Sequence, residues 1–213
     1  VSQSAAAPKP AQAQPAQPQT PEVKPNLQVK PNIVDRFLTP HRSQDLANTQ
    51  ANQLDSIRKG IQNGSITEKE AAKLLGQQAQ VSRATASATS DGVITASEAA
   101  KIRLLQSKAG ADVFQAAHNR QRGAPIDRAV AKEQVAQLGS IAQGVRNGSL
   151  TGAEANTVLT DQADIAQTVA DAQADGELDF IEKQTLGIRQ DAASYEIGQE
   201  KRDTEKAPHA SRR

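Results

Sequence analysis

The chain has 213 residues, of which 37% are hydrophobic and only 2% aromatic, with 25 Lys and Arg against 24 Asp and Glu for a net charge of +1. It contains no Cys, which excludes disulfides, thiolate metal sites and thiol catalysis. A core drawn from Ala, Leu, Ile and Val suits close-packed helices rather than a β-sandwich or barrel, and no stretch reaches the ~20 apolar residues of a membrane span.

Charge is unevenly spread. Lys and Arg against Asp and Glu number five to two in residues 1–44, eight to seven in 45–119, and six to thirteen in 129–203. The acidic last third argues against a nucleic-acid partner and is compatible with a divalent cation.

Residues 1–43 hold most of the prolines. The chain opens at Val1 on a run rich in Ala, Pro and Gln, which reads like an exported protein, periplasmic or extracellular, after removal of its signal peptide. Val23-Lys-Pro-Asn-Leu27 and Val29-Lys-Pro-Asn-Ile33 then form a small repeat leading to Val34, Phe37 and Leu38 before Pro40. Proline and its preceding residue favour extended backbone, so residues 22–40 are expected to be an extended arm. Its apolar side chains either pack across the helical part, or mediate self-association or contact with a protein partner.

From Asp45 the period becomes helical. Ala47, Ala51, Leu54, Ile57 and Ile61 fall on one stripe, and Ala131, Val135, Leu138, Ile141 and Val145 repeat it 84 residues on. A second helix carries Ala71, Leu74, Leu75, Gln78, Val81 and Thr85, echoed by Ala155, Val158, Leu159, Gln162, Ile165 and Val169. A third carries Ala99, Ile102, Leu105, Ala109 and Val113, and in the second copy Leu186, Ile188, Ala193, Tyr195 and Ile197. The expected fold is all-α: an arm over 1–43, three-helix repeats over 44–121 and 122–203, and a charged tail over 204–213. Each repeat is expected to stand on its own small core.

Four corners punctuate the helices: Asn63-Gly64-Ser-Ile66-Thr67 with Glu70, Asp91-Gly92-Val-Ile94-Thr95 with Glu98, Asn147-Gly148-Ser-Leu150-Thr151 with Glu154, and Asp175-Gly176-Glu-Leu178-Asp179 with Glu182. The Gly supplies the left-handed residue that ends one helix, and Thr or Asp caps the next. Glu three positions later completes a capping box.

The fourth corner also reads as a calcium loop. Counting back from Glu182 as the twelfth position places Asp171 first, Gln173 third, Asp175 fifth, Gly176 sixth, Glu177 seventh through its carbonyl, and Asp179 ninth. The loops ending at Glu70 and Glu154 have Lys59 with Ile61, and Gln143 with Val145, where oxygens are needed. Those two cannot bind calcium in this way.

The corners of Ser90-Asp91-Gly92 and Ala174-Asp175-Gly176 resemble degenerate EF-hand-like helical repeats of exported bacterial proteins, and are similar to those of the tellurite-resistance TerB-like domains. The resemblance covers residues 45–203 and implies the helical fold, with calcium as the cofactor it would bring. His41, His118 and His209 lack spaced partners for a zinc site or a nucleophile–base pair. The expected function is therefore that of a non-enzymatic structural or interaction protein, with calcium binding as the alternative.

Overall fold

The computed structural model describes residues 31–122, 128–174, 179–203 and 206–208. These form six helices and, among the described residues, no strand: α1 (Ile33–Asn63), α2 (Glu68–Thr89), α3 (Ala96–His118), α4 (Arg128–Asn147), α5 (Gly152–Ala174) and α6 (Phe180–Glu200). No helix is long and apolar enough to cross a membrane. The stretch 1–30, the Gly123–Asp127 joint and the middle of the fourth corner lie outside the described residues.

Helix begins earlier than the prolines suggest. Residues 33–43, expected to be extended, are the first three turns of α1. Asn32 starts the helix, its side chain accepting the Asp35 N–H at 2.9 Å while Asp35 accepts the Asn32 N–H at 3.3 Å. Pro40 stands on the exposed side, where water can take the Arg36 carbonyl that a proline leaves unpaired. The other side is tied down: Thr39 Oγ1 accepts the Ile94 N–H at 2.9 Å, and Arg42 bonds Asp35 at 2.7 Å and the Ile94 carbonyl at 2.6 Å.

The most extensive pairings, α2 with α5 and α1 with α4, run between the two expected repeats rather than within them. The repeats therefore do not stand on separate cores. One cluster joins Leu54, Ile57 and Leu75 to Leu138, Ile141 and Leu159. α3 covers α1 and α2, and α6 covers α4 and α5. Beneath each lies a smaller cluster whose members stand 84 residues apart: Leu46, Val81 and Ile102 on one side, Val130, Ile165 and Leu186 on the other.

Glutamine holds each trio of helices together. Gln78 Nε2 donates to Gln53 Oε1 at 2.9 Å, Gln53 Nε2 to the Gln106 carbonyl at 2.7 Å, and Gln106 Nε2 to the Leu46 carbonyl at 2.7 Å. The residues 84 positions on repeat the relay: Gln162 to Gln137 at 2.9 Å, Gln137 to the Gln190 carbonyl at 2.7 Å, and Gln190 to the Val130 carbonyl at 2.9 Å. Gln106 and Gln190 take the inward places on α3 and α6. Leu105, Ile188 and Tyr195, expected on that face, are exposed.

Removing residues 1–31 should therefore leave the melting temperature unchanged, since the Asn32 cap and the Thr39 and Arg42 contacts survive. Removing residues 1–40 should lower stability by about 2–4 kcal/mol, because the Ile94 N–H loses a buried partner and Arg42 loses its anion. Equal melting temperatures for the two truncated chains would contradict this account of α1.

Candidate functional site

At three corners the polar side chains of the motif bond the corner's own backbone, and Glu70 also accepts the Asn119 side-chain amide at 2.6 Å. Asn63, Asp91 and Asn147 accept the N–H two residues on, from Ser65, Val93 and Ser149, at 2.9, 3.0 and 2.9 Å. Gly64, Gly92 and Gly148 have φ of 71, 79 and 73°, the left-handed region in which a side chain is strained. Thr67 Oγ1 and Thr95 Oγ1 accept the N–H of Glu70 and Glu98 at 3.3 and 3.2 Å, and each Glu returns a bond to the Thr N–H at 2.9 Å. Thr151 and Glu154 make the same exchange at 3.4 and 2.6 Å.

The apolar corner residue folds back onto the helix just ended. Ile66 N–H and Leu150 N–H donate to the carbonyls of Gly60 and Gly144, both at 3.1 Å. A Cβ on Gly144 would lie 2.7 Å from Leu150 Cδ1, and one on Gly60 would clash with Ile66 Cδ1.

The six residues read as a calcium loop are distributed as follows. Asp171 and Gln173 lie in the last turn of α5, and Asp171 accepts the Gln167 amide at 2.7 Å. Asp179 and Glu182 meet only as a capping box, exchanging bonds with each other's N–H at 2.8 Å. Asp175 and Glu177 lie outside the described residues. A different trio of acids converges among the described residues: Glu154, Glu200 and Asp203 place carboxylate oxygens within 4.8 Å of one another. Burial pushes the Glu154 carboxyl up, although its bonds to Thr151 oppose this, and Asp203 beside it adds to the rise. Sequence reasoning missed this trio because it joins one helix start to a helix end 46 residues away.

The structure also exposes a break in the 84-residue correspondence. Glu68, the first residue of α2, is 2% exposed, and neither carboxyl oxygen has a hydrogen-bond partner. Burial pushes its pKa up to about 7, and the adjacent Gln134 amide opposes this only in part. The Gln134 amide likewise completes no bond of good geometry. Its counterpart Gln50 is satisfied, donating to the Gln78 carbonyl at 2.9 Å and Ser82 Oγ at 2.8 Å. The residue matching Ser82 is Ala166, which has no hydroxyl to offer.

The counterpart of Glu68 is Gly152. Beside Gly152 lies a pocket of about 150 Å³ lined by Gln50, Thr85, Thr89 and Thr151 and bordered by Lys206–Pro208. The Ala207 N–H donates to the Gly148 carbonyl at 3.1 Å, which fixes this last segment.

A carboxyl whose pKa is raised on folding binds its proton more tightly in the folded state, so it costs stability as pH rises from 4.5 to about 7, with no further cost above. Relative to Glu68→Gln, which stays neutral, the wild-type chain should lose on the order of 3 kcal/mol across that window, read from urea midpoints at each pH. Identical pH profiles for the two proteins would remove Glu68 as the cause.

No family model, curated protein or solved structure matches this chain.

Proposed function

We propose that this chain is a non-enzymatic structural or interaction protein, in which two three-helix units of common plan present a helical surface and the arm 22–40 docks on a protein partner. The carrying observation is the start of α1, where Ile33, Val34 and Phe37 are 83, 57 and 76% exposed. They continue the apolar series of Val23, Leu27 and Val29 in the sequence. Single exposed apolar residues are ordinary, whereas a run of them rimmed by polar groups is what a partner covers. The common plan is supported by the matching glutamine relays, in which six amides 84 residues apart in pairs make corresponding bonds.

Phe37→Asp tests the docking face without disturbing the buried side of α1. Partner binding by the full chain should weaken at least about tenfold, the effect of losing one aromatic anchor, while the melting temperature holds. Unchanged affinity would place the partner elsewhere on the surface.

Calcium binding at 171–182 is the second reading, favoured by the placement of Asp171 and the Asp179–Glu182 pair at the two ends of a corner that contains two further acids. One binding event per chain is then expected in a calorimetric titration, with an affinity on the order of 10⁻⁴ to 10⁻³ M. Glu182→Gln and Asp175→Ala should each abolish it. Retention of binding in both variants would shift attention away from this corner.

A further inference from the structure

α3 and α6 each turn one face inward and leave a second, apolar face outward. On α6 the outward stripe is Ile181, Ile188 and Tyr195, spaced by seven residues and 70, 65 and 70% exposed. On α3 it is Leu104 and Ala111 at the same spacing, continued by exposed Ala100 before them, Ser107 between them and Phe114 after them. Leu104 and Phe114 are 73 and 66% exposed. The 84-residue offset is a whole number of sevens, so the two stripes share one register. Seven-residue spacing is that of a seam between two helices packed side by side. α3 and α6 do not touch each other, so neither stripe is covered within the chain's described residues.

We propose that the α3 stripe of one copy receives the α6 stripe of the next, so that the chain assembles head to tail with itself. This rests on reading the protein as an interaction protein and names a second copy as an occupant of its surface. Shape favours the mixed pairing. The α6 stripe presents bulk at Ile181, Ile188 and Tyr195, whereas the α3 stripe offers small residues at Ala100, Ser107 and Ala111 as the facing holes.

Charge favours it too. The α3 stripe is flanked by exposed Lys101, Arg103 and Lys108, and α3 as a whole holds three Lys and Arg against two Asp and Glu. α6 holds two against four, with exposed Asp191 within its stripe. Pairing α3 with α3 would set those cations against each other, and pairing α6 with α6 would set Asp191 against Asp191 and bulk against bulk. Like charges brought together reject the symmetric dimers, and two different faces leave an open, repeating contact.

The test is sedimentation of the full chain and of two variants at exposed positions, Leu104→Glu and Ile188→Lys, with circular dichroism confirming that each remains folded. The wild-type protein should rise in mass with concentration beyond a dimer. Each variant alone should stay monomeric, because its surviving face has no complement. Mixed in equal amounts, the two should form a dimer and nothing larger, through the intact α6 of Leu104→Glu and the intact α3 of Ile188→Lys. A wild-type chain that remains monomeric at its highest soluble concentration overturns the proposal. So does a Leu104→Glu or Ile188→Lys protein that still associates alone, which would mean symmetric pairing or association through the arm. Partner binding measured with Phe37→Asp reports on the arm separately, so the two readings fail independently.

Discussion

Two relays of glutamine amides are what the rest of this structure depends on. Helices faced with Ala and a few Leu and Ile bury little bulk per turn, so they need something beyond shape to fix their mutual register. Each relay supplies it by taking one glutamine from each of three helices, Gln53, Gln78 and Gln106 in one trio and Gln137, Gln162 and Gln190 in the other. Its last amide returns to the backbone of the helix on which the relay's middle residue stands, at Leu46 or Val130. An amide with a long side chain is suited to this task because it donates and accepts at once. A buried relay that lost one member would leave another member's polar atoms unpaired, which ordinarily costs about 1–3 kcal/mol.

The corners are the second constraint, and they explain why the helices stop where they do. The Asn or Asp turn, the left-handed Gly and the Thr–Glu exchange together pair the N–H groups of the turn, of the cap and of the Glu three residues on with side chains of the motif itself. They were legible in the sequence for that reason. The motif from the Asn or Asp to the Glu spans eight residues, and the apolar residue ahead of the Thr seats itself on a glycine of the preceding helix, Ile66 on Gly60 and Leu150 on Gly144. The same economy bears on the calcium reading: at the fourth corner Asp179 and Glu182 already use one oxygen each on the cap, which leaves their second oxygens for any ion.

What was illegible in the sequence is what depends on distance along the chain. Hydrophobic period locates six helices, but nothing local says that α2 lies on α5 or α1 on α4, and so the sequence alone suggests two cores where there is one shared cluster. The prolines up to Pro40 point to extended backbone, whereas Asn32 and Asp35 are a helix start signal eight and five residues before Pro40, which falls on the solvent side. On α3 and α6 the apolar residues favoured as core, Leu105, Ile188 and Tyr195, lost their places to Gln106 and Gln190. A count of apolar residues cannot see that Gln106 and Gln190 each have a backbone carbonyl waiting for their amide N–H, at Leu46 and Val130.

The most informative place is where the two trios differ. Had they been identical, the residue opening α2 and the residue opening α5 would face each other's helices in the same way. Instead Gly152 lets α5 approach so closely that an added Cβ would lie 2.6 Å from Ala86 N and 2.9 Å from the Ser82 carbonyl. Glu68 occupies the matching position with a full side chain and is buried unpaired beside Gln134. The two ends of the α2–α5 pairing therefore differ: a carboxyl is buried at one, and at the other lies a pocket bordered by Lys206–Pro208. A side chain at 152 would be driven into the backbone of α2, whereas at 68 a full carboxyl is accommodated without a partner. That the halves also differ on their outer stripes, cations around α3 and Asp191 within α6, follows the same logic at the surface.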